Sequence, residues 1–108
     1  MVTISILYPN LPGSRFDLTY YVERHMPRAM ALLSQHSGYR GVSVERGLGG
    51  AAPGTEAAYT AMCHFKFESQ DAFMSAFMPH AAELQSDMVN YSEAAPIIQV
   101  SDVLIFGA

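Results

Sequence analysis

The chain contains no tryptophan, a single cysteine and few charges, with six basic and ten acidic residues among 108. Each shortage excludes a class of function. Lone Cys63 rules out an internal disulfide and a cysteine-based zinc cluster. The cations Arg15, Arg24, Arg28, Arg40, Arg46 and Lys66 are scattered through a chain of net charge −4. No basic stripe awaits a phosphate backbone, so nucleic acid is not expected as a partner. No apolar run approaches the roughly 20 residues that span a bilayer, and the first residues lack a signal-peptide pattern. A cytoplasmic protein without a membrane role is therefore expected. A phosphate-cradling GxxxxGK loop is missing, and Gly47-Leu48-Gly49-Gly50 does not open a helix as a dinucleotide-binding GxGxxG turn would. No HExxH or carboxylate–histidine cluster has metal-ligand spacing. No tightly bound cofactor or metal is expected.

What is present is apolar. Half the residues are hydrophobic, which suits one domain over residues 1–108 around a single core. A chain of this size buries about 60–70% of its unfolded surface. Only 15% of residues are charged, against a usual value of about 25%. So little surface is equipped to stay wet that a homodimer is expected. Residues 2–8 alternate and carry β-branched side chains, as a strand does, and residues 39–48, 58–67 and 97–106 read likewise. Ser14 and Asp17 form a capping box for a helix running to about residue 37, bent near Pro27 and stopped by Gly38. Ser69 caps a second helix with an inward stripe of Phe73, Phe77, His80, Leu84 and Met88, interrupted by Pro79. Residues 49–54 read as a flexible loop of small residues that is a candidate lid.

The order βαββαβ predicts an α+β, ferredoxin-like sandwich, one four-stranded antiparallel sheet with two helices on one face. Strand parity sharpens the picture. Val2, Ile4, Ile6 and Tyr8 share a side with Ala61, Cys63, Phe65 and Phe67, and with Ile98, Val100, Leu104 and Phe106. That face is greasy and suits helices, and on it Cys63 reads as a small core residue rather than a nucleophile. The other side carries Thr3, Ser5, Leu7, Thr60, Met62, His64, Lys66, Gln99, Ser101 and Val103. It is too apolar for water and too polar for a dry core. Two such faces meeting across a dimer are expected to enclose a cavity into which Met62, His64 and Gln99 point.

One polar residue interrupts the first helix's apolar stripe. Leu18, Tyr21, Val22, His25, Ala29, Leu32 and Leu33 fall within an arc of about 100° on a helical wheel. An imidazole and a phenol thus lie one turn apart on the buried side, beside a proline that removes a backbone donor. Imidazole titrates near neutrality and can take or return a proton. His25 is therefore the candidate general base or acid, with Tyr21 next to it; the plain alternative is a neutral histidine bonded to a carbonyl freed by Pro27. Tyr8 ends the first strand, where its hydroxyl either reaches the expected cavity mouth or packs under the helices. Asp87 and Tyr91 share the inward arc of the second helix, either as structural struts or as ligand-contacting groups. Tyr20 points away from Tyr21 on an ideal helix and is assigned to a partner contact.

The blocks Leu7-Tyr8-Pro9, Phe16-Asp17 with Tyr20-Tyr21 and His25-Met26-Pro27, Pro79-His80-Ala81-Ala82-Glu83, Asp87-Met88-Val89-Asn90-Tyr91-Ser92 and Pro96-Ile97-Ile98-Gln99-Val100-Ser101 resemble the EthD family, named for ethyl tert-butyl ether degradation. The resemblance spans nearly the whole chain and implies a dimeric α+β barrel. Family members are often labelled reductases, and the namesake is associated with an oxygenase system that attacks an ether. Relatives on this barrel include a methylmuconolactone isomerase and cofactor-free polyketide tailoring enzymes. The resemblance therefore implies proton-transfer chemistry with a helix histidine similar to His25 as the central group. Three readings stand side by side. The first is a cofactor-independent enzyme acting on a small apolar oxygenated or cyclic molecule, in xenobiotic or secondary-metabolite catabolism. In it His25 and Tyr21 are catalytic, and Tyr8, Met62, His64, Asp87, Tyr91 and Gln99 surround the substrate. The second is a non-catalytic binding or accessory protein of an oxygenase system. The third is a haem-binding barrel with one histidine as axial ligand.

Overall fold

Alternating strands and two striped helical segments build the expected sandwich. The computed structural model describes residues 1–108. Strand β1 (Val2–Pro9) leads into a first helical arm made of α1 (Leu18–Tyr20), a π-helical turn (Tyr21–His25) and α2 (Met26–Leu33). Strands β2 (Tyr39–Arg46) and β3 (Tyr59–Phe67) follow. The second arm comprises α3 (Gln70–Phe77), a 3₁₀ turn (Met78–His80), α4 (Ala81–Ser86) and another 3₁₀ turn (Asp87–Asn90), before strand β4 (Ile97–Asp102). The sheet order is β2-β3-β1-β4 and every neighbouring pair is antiparallel, the ferredoxin-like arrangement.

Strand β3 shows why both arms settle on one side. Ala61, Cys63, Phe65 and Phe67 are buried, while Thr60, Met62, His64 and Lys66 between them are only partly covered. Ile4 and Tyr8 of β1 join the buried side, and Ala29, Leu32, Leu33, Ala76, Leu84 and Tyr91 come down on it from the arms and the segment after them. Phe67 is completely buried, so its truncation to alanine is expected to cost about 3–5 kcal/mol. Gly38 lets the two arms close up: a Cβ there would stand 2.7 Å from that of Ala72. No helix is long and apolar enough to cross a membrane.

Several expected boundaries are corrected. Strand β4 stops at Asp102, not residue 106, because its partner β1 begins at Val2, directly opposite. One further bond, from the Val103 amide to the Met1 carbonyl at 3.0 Å, ends the pairing. Leu104 and Phe106 therefore leave the helix-covered face and are 88% and 71% exposed. Strand β2 likewise ends at Arg46, and Leu48 beyond it is exposed. Asp17 itself, rather than Ser14, caps the first arm, its Oδ1 accepting the Tyr20 amide at 3.0 Å. The Ser14 amide instead closes a turn onto Leu11. The arm ends at Leu33, short of residue 37, and the His36 ring accepts the Gly38 amide at 2.9 Å. That local bond competes with helix continuation.

Candidate active site

The first arm is distorted where its sequence is unusual. Pro27 has no amide hydrogen, and its ring crowds the carbonyl four residues back. The turn before it widens, so that the Met26 amide bonds the Tyr21 carbonyl, five residues away. Such π turns are rare and occur often at functional positions. Widening rotates the stripe: Tyr21 and His25 stay buried, whereas Val22, expected inward, is half exposed. The Tyr21 and His25 rings stack at 14° with centroids 5.9 Å apart.

His25 does not spend its ring on a carbonyl freed by Pro27. Its Nδ1 lies 2.9 Å from Oδ2 of Asp87, in the last turn of the second arm. An ionised carboxylate can only accept, so in the neutral form of the ring Nδ1 carries the hydrogen and Nε2 the lone pair. The Tyr20 hydroxyl and the Asn90 amide donate to the other Asp87 oxygen at 2.6 and 2.9 Å. Burial opposes ionisation of Asp87, but the bonds from Tyr20, Asn90 and His25 outweigh it and hold the carboxyl below its ordinary range. Tyr20, expected to point away from this site, instead places its hydroxyl on Asp87, a contact within the chain that an ideal helical wheel does not foresee. Asn90, which the sequence does not single out, is the other missed member.

On its far side, His25 Nε2 is 3.4 Å from the Tyr91 hydroxyl, which is 2.6 Å from that of Tyr8. The first contact is long for a hydrogen bond and the second short. Burial pushes Tyr8 up to about 12 and raises Tyr91 and Tyr21 as well, so all three are protonated phenols at neutral pH. The Tyr21 hydroxyl faces the Cys63 thiol without good hydrogen-bond geometry. Burial also pushes the Cys63 thiol up to about 12, so it stays protonated and is a poor nucleophile. Tyr91 is clamped from behind. Phe16 and Ser92 form a β-bridge, and the Asp17 amide bonds the Tyr91 carbonyl at 2.7 Å.

These rings open onto a cavity of about 360 Å³ between the sheet and the arms. Its walls include Tyr8, Tyr21, His25 and Tyr91, with Phe65, Phe73, Phe77, Leu84, Met88 and Ile98. A volume in this range is that of a small-molecule pocket. Asp87 stands behind His25 and lines a polar groove on the outer side of the arms, with Tyr20, Arg24, Arg28 and Asn90.

This cavity within one chain lies on the helix side of the sheet, opposite the face expected to meet a second copy. Met62, His64 and Gln99 point the other way, as strand parity requires, and cannot share a chamber with His25 within one chain. Ser43, His64, Ser5 and Gln99 form one rung across the four strands. There the Ser5 hydroxyl lies 2.8 Å from His64 Nδ1, and Glu45 lies 3.6 Å from Nε2. Loop residues 49–54 contribute nothing to the cavity wall. The residues do not fit the haem alternative either, because the Tyr91 ring, its centroid 4.6 Å from that of His25, stands against the open nitrogen.

Fold and site together define a ferredoxin-like α+β protein with an apolar cavity whose wall carries an imidazole backed by a carboxylate from outside it. The chain belongs to the EthD family: the EthD domain matches residues 14–95, a stretch that contains His25, Asp87 and Tyr91. An EthD-like protein from Ralstonia eutropha is 39% identical over 96% of this chain and 92% of its own, with a TM-score of 0.88. An ethyl tert-butyl ether degradation family protein from Bacillus halodurans is 18% identical over 96% of this chain and 99% of its own, with a TM-score of 0.70. SnoaB, a cofactor-independent oxygenase from Streptomyces nogalater, shares the fold at 15% identity, 97% and 94% coverage and a TM-score of 0.61. A search of curated proteins finds no match.

Proposed function

We propose that this chain is a small enzyme that needs no tightly bound cofactor and uses His25 to move a proton on a small apolar, oxygenated or cyclic molecule. The observation that carries this reading is the asymmetry of the His25 ring. Nδ1 is held at 2.9 Å by a carboxylate, while Nε2 meets only a phenol at 3.4 Å. The carboxylate fixes the tautomer and stabilises the imidazolium formed when Nε2 takes a proton, as in other carboxylate–histidine pairs. Tyr21 holds the ring by stacking, and Tyr8 and Tyr91 orient the bound molecule. A carrier or accessory protein would use the same apolar chamber but has no need of the carboxylate behind the imidazole.

The test is proton exchange. In heavy water, the protein is expected to speed deuterium uptake into the acidic C–H positions of a panel of small cyclic ketones, and His25→Gln to bind them without exchange. Binding across the panel with no exchange by the unaltered protein overturns the enzyme reading in favour of a carrier.

The homodimer belongs to the same proposal. The outer sheet face mixes Leu7, Met62 and Ile97 with polar groups, and the adjoining Leu104, Ile105 and Phe106 are 88%, 93% and 71% exposed. Apolar surface of this kind favours a second copy. Light scattering at micromolar concentration is expected to give twice the chain mass, and a monomer overturns it.

A further inference from the structure

The cavity wall is selective in what it omits. Of its nineteen residues sixteen are hydrophobic, and no lysine, arginine, aspartate or glutamate is among them. Its polar atoms belong to His25, Gln85 and the three phenols. A carboxylate or phosphate entering this chamber would lose its water without meeting a fixed cation, which disfavours it strongly. A cation would find Asp87 already committed on both oxygens to Tyr20, Asn90 and His25.

The two coupled phenols add a second constraint. In the 2.6 Å pair, one hydroxyl of Tyr8 and Tyr91 donates to the other, so one proton of the pair is always left over. Within the chain its best acceptor is His25 Nε2 at 3.4 Å, a long contact. A ligand oxygen placed beside the pair would take that proton at a shorter distance, and would receive it best if negatively charged.

We infer that the cavity takes a neutral, apolar molecule bearing one weakly acidic group, a phenol or an enolisable carbonyl, whose anion is held by the Tyr8–Tyr91 hydroxyl pair. In the step, the ligand O–H or α-C–H bond breaks and its electron pair stays on the ligand as phenolate or enolate. The proton passes to His25 Nε2, and the imidazolium pairs with the Asp87 carboxylate, which remains ionised. Charge is conserved within the site and no oxidant is consumed. The anion half of this inference rests on the base role proposed for His25; the preference for a neutral ligand does not.

Naphthalene, 2-naphthol and 2-naphthoate share one ring system and separate the two halves. At neutral pH the neutral naphthol is expected to bind at least about tenfold more tightly than the naphthoate, and the bound naphthol to show the naphtholate absorption band. Tyr91→Phe and His25→Gln should each lose that band while binding naphthalene within about twofold of the unaltered protein, which reports an intact cavity. Equal or tighter binding of naphthoate overturns the neutral-ligand claim. A naphtholate band that survives in Tyr91→Phe but not in His25→Gln overturns the role of the hydroxyl pair and leaves the base reading standing. No band in the unaltered protein, with deuterium exchange intact, overturns the phenol half of the class and leaves the enolisable carbonyl; no band and no exchange overturns both.

Discussion

His25 and His64 occupy opposite sides of one sheet and differ in almost everything except residue type. His25 is buried, its Nδ1 held by a carboxylate that is itself held by two donors, and it faces an apolar chamber. His64 is a quarter exposed, its Nδ1 meets a serine hydroxyl, and its nearest carboxylate stands 3.6 Å away on an exposed edge strand. Both rings have a carboxylate and a hydroxyl within reach. Glu45 takes one further bond, from Ser43, and is 47% exposed, whereas Asp87 takes two, from Tyr20 and Asn90, and is 27% exposed. With less water around the pair, electrostatic interactions keep more of their strength. A functional histidine is marked by what holds its partners, not by their mere presence.

Four variants can break or sharpen that contrast. The largest effect is expected from His25→Gln, which should slow deuterium exchange by about 10²–10⁴-fold, the usual share of general acid–base catalysis. Next comes Tyr91→Phe, which strands the buried Tyr8 hydroxyl. It should cost about 1–3 kcal/mol in urea denaturation. Tyr20→Phe removes one of the donors on Asp87 without touching the cavity, and is expected to slow exchange by about tenfold with little change in stability. The smallest effect is expected from His64→Gln, within about 0.5 kcal/mol of the unaltered protein in stability and about twofold in exchange rate. Equal losses from His25→Gln and His64→Gln would abolish the distinction between the two faces.

Acid titration offers a separate check. The Asp87 carboxyl is held below its ordinary range in the folded chain. Its contribution to stability is complete above the unfolded value of about 3.9 and is lost as pH falls through the lower folded value. The urea midpoint should therefore drop on acidification below about pH 4 more steeply in the unaltered protein than in Asp87→Asn. Parallel curves would mean that the carboxylate is not held as described.

Much of this architecture is legible in the sequence because period-two strands advertise their two faces. The alternation through residues 60–67 assigns every side chain of β3 to the side it occupies. The site is only half legible. His25 and Tyr21 stand out as polar groups on an apolar stripe, but their partners come from Asp87, Asn90 and Tyr91, more than sixty residues downstream, where no local periodicity encodes the pairing. The helical wheel misplaces Val22 and Tyr20 because it assumes 3.6 residues per turn across a stretch wound more loosely. The side of the cavity is hidden for a different reason. An apolar wall reads the same whether the arms close on it or leave a chamber, so hydrophobicity alone points to the mixed outer face and to Met62, His64 and Gln99.

The bridge between Phe16 and Ser92 joins the segment entering the first arm to the one leaving the second. It bears on the order in which the molecule assembles. His25 meets Asp87 across 62 positions of chain, and Tyr8 meets Tyr91 across 83. Closing loops of that length is entropically costly until the sheet has brought the segments together. A nascent or partly folded chain thus carries an imidazole without its carboxylate. Chemical competence arrives with the last long-range contacts, so a chain still seeking its fold has no organised base with which to act on the small molecules around it.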